Sequence, residues 1–327
     1  MMEILLEVKH LKKYFPVRKG LMKKVVKTVK AVDDVNFKLF KGETLGIVGE
    51  SGCGKSTMGK CLIGLLQKTD GCIEFEGREI GDLNKEQLRE LKKDMQIIFQ
   101  DPYGSLNPRF RVREIIEEPM IAHGVKSAQE RRQRVEQLLC DVGLGKEYME
   151  RWPHEFSGGQ RQRISIARSL ALNPKFIVCD EAVSALDVST QSQILNLLKE
   201  LQRKYELSYL FISHNLSVVN YISDRVGVMY LGNLVELAPV DELYNNSLHP
   251  YTEALLSAIP QIDEETRKEK IVLAGDVPNP SAPPNGCKFH PRCRYCQDIC
   301  KTQQPEFRTV GKDHMVACHF PLGISVK

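Results

Sequence analysis

A chain of 327 residues, 42% apolar and 27% charged, has room for a full core domain and a smaller second unit. The net charge of +4 is too small to mark a nucleic-acid binder, and no apolar run approaches the roughly 18 residues that span a bilayer. The opening MMEILLEVKHLKKYF is broken by charges and is no secretory signal, so the ten cysteines are expected in a reducing compartment, as thiols or metal ligands.

Residues 1 to about 92 read as β-rich, with one helix after a glycine loop. Within them Arg18, Lys19, Lys23, Lys24, Lys27 and Lys30 form a basic stretch without acids. It reads as a solvated loop or hairpin, with acidic headgroups or an acidic partner as the sharper alternative. Thr44–Val48 is a short apolar run entering glycine-rich sequence, the pattern of a buried strand feeding a loop. Met95–Phe99 is a second such run. Residues 112 to 152 read as helical, and Ser127 with Glu130 has capping-box spacing. Phe176–Asp180, Tyr209–Ser213 and Arg225–Leu231 are further strands, and a helix is expected from about Ser189 to Lys204. Strands alternating with helices imply an α/β fold with a mainly parallel sheet. The proline-rich VPNPSAPPNG stretch after Asp276 reads as a linker.

Gly49, Glu50, Ser51, Gly52, Cys53, Gly54, Lys55 and Ser56 match G-x-x-x-x-G-K-[ST] between a strand and a helix, with Thr57 following. Glycines let backbone N–H groups turn inward around phosphates, and the helix N-terminus adds favourable partial charge. Lys55 suits the β- and γ-phosphates, and Ser56 offers a hydroxyl to Mg²⁺. The loop alone indicates a nucleoside triphosphate. Hydrolysis needs acids beside it. Asp180 closes an apolar strand and could hold the Mg²⁺ shell; Glu181 is placed to orient or deprotonate water. Ser157, Gly158, Gly159 and Gln160 open another helix, a second anion-binding terminus. One triphosphate does not need two such ends, so this one is expected to face the γ-phosphate held by another chain.

These motifs resemble the ATPase subunit of ABC transporters. The loop Gly49–Thr57, Gln100 after a strand, the FSGGQ segment from Phe156, Asp180 with Glu181, Ser184–Asp187 and His214 occur in the family's order over roughly residues 4 to 240. The resemblance implies a P-loop NTPase core with an antiparallel β subdomain and a helical subdomain. It implies that Gln100 reaches Mg²⁺ and the water and couples the site to the transporter. Ser157, Gly158 and Gly159 would clasp the opposite subunit's γ-phosphate, Asp187 would link the two sites, and His214 would contact the γ-phosphate and hold Glu181. Phe15, or its neighbour Tyr14, would stack on adenine. Two departures stand out. Phe156 replaces the commoner Leu, which changes packing alone. Ala182 replaces a usual Pro, which is expected to loosen the turn.

Five cysteines crowd into Cys287–Cys318. Such a cluster can hold zinc or an iron–sulfur group. The segment Gly286–Cys293 with Val316–His319 resembles the C-terminal extension of dipeptide and oligopeptide importer ATPases, which implies a [4Fe-4S] cluster on Cys287, Cys293, Cys300 and Cys318, with zinc as the alternative. Cys296 is then a spare or a rival ligand. The run Ile97–Pro108 and the basic insertion look like the F-type ATPase of these importers rather than the D-type. The expected partners are a D-type ATPase, two transmembrane permease subunits and an extracytoplasmic peptide-binding protein, with no nucleic acid. The expected location is the cytoplasmic face of the membrane. The expected division is an ATPase domain over 1–260, with its helical subdomain at about 101–172, and the Cys-rich extension over 261–327. Two rivals keep the ATPase core: a motor serving nickel or another small solute, and a soluble ABC protein acting on ribosomes or DNA.

Overall fold

The computed structural model describes residues 3–19, 24–101, 103–259, 271–311 and 313–323. Residues 20–23 of the basic stretch lie outside the described residues, as does the expected domain boundary at 260/261. The strands are β1 (Ile4–Lys19), β2 (Lys24–Phe40), β3 (Thr44–Val48), β4 (Asp70–Phe75), β5 (Arg78–Glu79) and β6 (Met95–Ile98). They continue with β7 (Phe176–Asp180), β8 (Ser208–Ile212), β9 (Arg225–Tyr230), β10 (Asn233–Pro239), β11 (Arg308–Thr309) and β12 (Met315–Val316). The chain divides into two compact units interleaved in sequence. One comprises 1–4, 39–44 and 82–212; the other comprises 5–38, 45–81 and 213–327.

In the first unit β6, β7 and β8 are parallel neighbours: Ile97 pairs with Val178, and Val178 with Leu210. All five residues of β7 and of β8 are buried, as expected for parallel strands covered on both faces. Their covering helices carry apolar residues at helical spacing. Helix Val188–Tyr205 buries Ile194, Leu195, Leu198 and Leu201, the face read from the sequence. Helices Val112–Ala122, Ala128–Asp141 and Gly158–Ser169 occupy the expected helical region. Ser127 caps the second of these, its Oγ accepting from Glu130 N–H at 3.2 Å.

The second unit holds a four-stranded sheet, ordered β2-β1-β4-β5, with β4 antiparallel to both β1 and β5. It also holds a sheet ordered β11-β12-β10-β9-β3, in which β3 and β9 run parallel and β9, β10, β12 and β11 run antiparallel. The mainly parallel sheet expected from sequence therefore gains an antiparallel edge. The cause is local: β9 and β10 are joined through Leu231 and Gly232, both at positive φ, too short a link for a parallel crossover. The far C-terminal segment supplies β11 and β12. The stretch around the prolines, residues 277–286, carries no helix or strand.

Candidate functional site

In the second unit β3 delivers the chain into the glycine loop, and helix Lys55–Leu62 leaves it with Gly54 at its N-cap. Gly49 and Gly54 have φ of 149° and 108°, and a Cβ on either would overlap a carbonyl oxygen, that of Met229 or Ala31. Both places require glycine. Lys55 is 4% exposed, and its ammonium donates to the carbonyls of Gly49 at 2.8 Å and Glu50 at 3.1 Å. The loop thus holds its own lysine inside the backbone curl that suits phosphate. Cys53 is buried against it, and burial pushes its thiol pKa up. Ser51 and Gly52 are exposed, and Ser56 and Thr57 lie in the first turn of the helix, half-buried.

Tyr14 and Phe15 lie on β1. Phe15 is 37% exposed, whereas Tyr14 is partly buried and its hydroxyl donates to Asp33. Burial first, and then this hydrogen bond, raise the Tyr14 pKa. Phe15 is the better exposed flat ring. His214 is exposed just before Asn215, whose side chain caps helix Leu216–Ile222.

In the first unit Asp180 closes β7 and is 5% exposed. Glu181 follows in the left-handed region, φ 50°, its N–H donating to the Ile212 carbonyl at 3.0 Å. The turn expected to loosen at Ala182 is tied down: Ser184 donates to the Glu181 carbonyl from both N–H (3.1 Å) and Oγ (3.0 Å). Gln100 Nε2 donates to Glu181 Oε2 at 2.9 Å, so two residues 81 apart in sequence meet.

Ser157 caps helix Gly158–Ser169 in a full capping box with Gln160. Phe156 is buried, its ring 5.6 Å from that of Tyr148. A Cβ at Gly159 would press on the Thr190 methyl, so glycine lets the two helix starts approach. Asp187 has a role not anticipated from sequence: it caps helix Val188–Tyr205, accepting from Thr190 N–H at 2.9 Å, Thr190 Oγ1 at 2.8 Å and Ser189 Oγ at 2.7 Å. The Ser189 hydroxyl, followed by the Thr190 donors, lowers its pKa to about 2. The signal was available, since Asp preceding Val-Ser-Thr is a cap pattern.

In the C-terminal segment Cys287, Cys293, Cys300 and Cys318 line one cavity with Phe289, Tyr295, Phe320, His249, His290 and His319; Cys296 does not. All ten cysteines are free thiols. Burial raises the pKa of Cys287 to about 11 and of Cys318 to about 12. Among the described residues, no three His, Cys, Asp or Glu side chains converge as a single metal ion would need. The segment is bound to β10 through Glu236, which is wholly buried. It accepts from Leu248 N–H at 2.6 Å and His249 N–H at 3.0 Å, and lies 2.7 Å from His314 Nε2.

Residues 32–184 match the family model described as ABC transporter, and residues 235–300 match that of the oligopeptide/dipeptide transporter C-terminal region. The chain is 56% identical to the oligopeptide transport ATP-binding protein AppF of Bacillus subtilis, covering 97% of each chain. The chain belongs to the ATP-binding subunits of ABC-type peptide transporters. It is also 49% identical to OppF of Escherichia coli, covering 97% of this chain and 96% of that one. It is 47% identical to DppF of Pseudomonas aeruginosa over 97% and 98%. The dimeric ATP-binding cassette MJ0796, solved in a post-hydrolysis state with ADP and Pi, superposes with a TM-score of 0.64 at 29% identity. That match covers 72% of this chain and 99% of the other.

Proposed function

We propose that this chain binds Mg·ATP and hydrolyses it as the motor of an importer of di- or oligopeptides. The carrying observation is kinship over 97% of the chain with peptide-transport ATP-binding proteins, together with the match to the oligopeptide/dipeptide transporter C-terminal region. The Gln100–Glu181 hydrogen bond gives the chemistry its geometry.

Glu181 orients the attacking water and takes up its proton, and Gln100 holds the carboxylate that does so. His214 contacts the γ-phosphate. Lys55 and the inward N–H groups of Gly49–Thr57 cradle the β- and γ-phosphates, and Phe15 or Tyr14 stacks on adenine. Ser157, Gly158, Gly159 and Gln160 clasp the γ-phosphate held by an opposite subunit, and Asp187 links the two sites. Asp180 is a buried carboxylate at a strand end, suited to a hydrated hard cation; Ser56 and Gln100 complete the set that would hold Mg²⁺. When bound, Mg²⁺ offsets charge on the β- and γ-phosphates.

The second subunit is proposed to be D-type, with two permease subunits and an extracytoplasmic peptide-binding protein. No helix among the described residues is long and apolar enough to cross a membrane, in keeping with peripheral attachment to the permeases at the cytoplasmic face.

Four free thiols on one cavity fit an all-thiolate group, and Cys296 stands outside it. Zinc needs tetrahedral sulfurs about 3.8 Å apart, given bonds near 2.3 Å. The resemblance of the segment to the C-terminal extension of peptide-importer ATPases makes a [4Fe-4S] cluster the proposed group, with zinc as the alternative. Bound, it would cross-link the C-terminal segment. The proposed division remains an ATPase domain over 1–260 and an extension over 261–327.

The enzymatic reading is tested with Glu181→Gln. ATP binding should stay intact while turnover nearly vanishes. Substantial residual hydrolysis would remove Glu181 as the base.

A further inference from the structure

We propose that Arg292, in the C-terminal segment between two of the cavity cysteines, is a positioning residue for ATP binding, acting through Glu50 of the phosphate loop. The inference rests on the ATP-binding reading above and extends it to a residue far from the ATPase motifs.

Arg292 and Glu50 form a two-pronged ion pair: Nη1 donates to Oε2 at 2.9 Å and Nη2 to Oε1 at 3.1 Å. The arginine side chain is 8% exposed and the glutamate 27%, so water screens the pair weakly. Glu50 is held at its backbone as well. Its N–H donates to the Tyr251 hydroxyl at 3.0 Å, and its carbonyl accepts from Lys55 at 3.1 Å. The residue that carries a prong to Arg292 therefore also carries a carbonyl for the lysine reserved for phosphate.

A second strut leaves the same turn. Lys288 donates to Asp33 at 2.8 Å and to the Leu231 carbonyl at 2.9 Å, and Asp33 accepts from the Tyr14 hydroxyl. One short segment thus grips the loop at Glu50 and, through Asp33, the strand that carries the candidate adenine-stacking rings.

The electrostatic consequence is specific. Glu50 places a carboxylate on the loop that must receive a polyphosphate. Arg292 offsets that charge and fixes the loop. Without Arg292 the carboxylate repels ATP and the loop loses its brace. A bracing role at the loop acts on binding, so KM should move and kcat should not.

The test uses the full chain, with Mg·ATP binding measured by calorimetry, and the assembled transporter for kinetics. Arg292→Ala should weaken Mg·ATP binding by about tenfold, a typical coupling, with kcat at saturating ATP within about twofold of the parent. Adding Glu50→Gln should recover most of the lost affinity, because the repelling charge is gone. A purely structural arginine would show no such rescue. If Arg292→Ala does not fold, Arg292→Lys keeps the charge and loses the fork, and should still weaken binding by about threefold. Binding within twofold of the parent for the variant that folds, or Arg292→Ala without rescue by Glu50→Gln, overturns the proposal. Lys55→Ala is the control: if it binds Mg·ATP like the parent, the ATP reading fails with the proposal; if it alone loses ATP, only the role of Arg292 is refuted.

Discussion

The side-chain amide of Gln100 donates to Oε2 of Glu181 at 2.9 Å. Gln100 sits just beyond β6, and Glu181 just beyond β7, which is the parallel neighbour of β6. Two adjacent strands therefore end on the two groups proposed to address the attacking water. Glu181 takes the left-handed backbone region at φ 50°, and Ser184 fixes that turn.

Removing the Gln100 amide should leave Glu181 present but loosely aimed. Gln100→Ala is expected to lower kcat by about 10- to 100-fold, the scale of a lost orienting contact to a catalytic group, with ATP affinity little changed. Steady-state ATPase assays beside equilibrium nucleotide binding separate the two effects. A raised Kd with unchanged kcat would place Gln100 in binding instead.

Gly54→Ala should abolish productive nucleotide binding. Its φ of 108° disfavours any Cβ, and that Cβ would overlap the Ala31 carbonyl. The backbone strain alone is of order 1–3 kcal/mol. The check is thermal unfolding with and without Mg·ADP: the parent should gain stability from nucleotide and the variant should not.

Asp187 gives a pH signature. Its folded-state pKa is lowered to about 2, below the usual carboxylate value, so its contribution to stability is complete above about pH 4 and fades as pH falls toward 2. Asp187→Asn keeps a capping oxygen and loses the charge. The stability difference between parent and Asp187→Asn should therefore shrink as pH is lowered from 5 to 2, followed by urea unfolding. A constant difference would mean that the charge plays no part.

Glu236→Ala should be among the most destabilising single changes outside the glycine loop. It strands two backbone N–H groups and His314 in a dry interior, a loss of about 3–5 kcal/mol. Urea unfolding measures it, and a loss below 1 kcal/mol would mean that water reaches the site.

The cysteine cavity separates its five candidates cleanly. Replacing Cys287, Cys293, Cys300 or Cys318 by Ser should lower bound iron and the visible sulfur-to-iron absorption, while Cys296→Ser should not, since its side chain lies off the cavity. Zinc in place of iron in the purified parent would correct the cluster assignment.

What was legible in the sequence was local or periodic. The strand–glycine–helix passage at Thr44–Leu62 showed because each glycine answers a backbone constraint within a few residues. The helix Val188–Tyr205 showed through its apolar face. The edge strands β11 and β12 were not legible, because pairings of two residues leave almost no periodic trace. Nor was the Arg292–Glu50 pair, whose members stand 242 positions apart and each look like an ordinary surface charge. Family resemblance gave Gln100 a place near Mg²⁺ and the water, but its hydrogen bond to Glu181 was not anticipated, since a lone Gln after a strand carries no signal.

The most direct test of the central claim is peptide uptake into liposomes carrying the chain with its partner ATPase, the permease subunits and the peptide-binding protein. With the parent chain, ATP hydrolysis should rise when loaded binding protein is added, and labelled peptide should accumulate inside. With Glu181→Gln, ATP should bind while both signals fall to background. Uptake that persists in the variant, or parent hydrolysis that ignores peptide, would contradict the account.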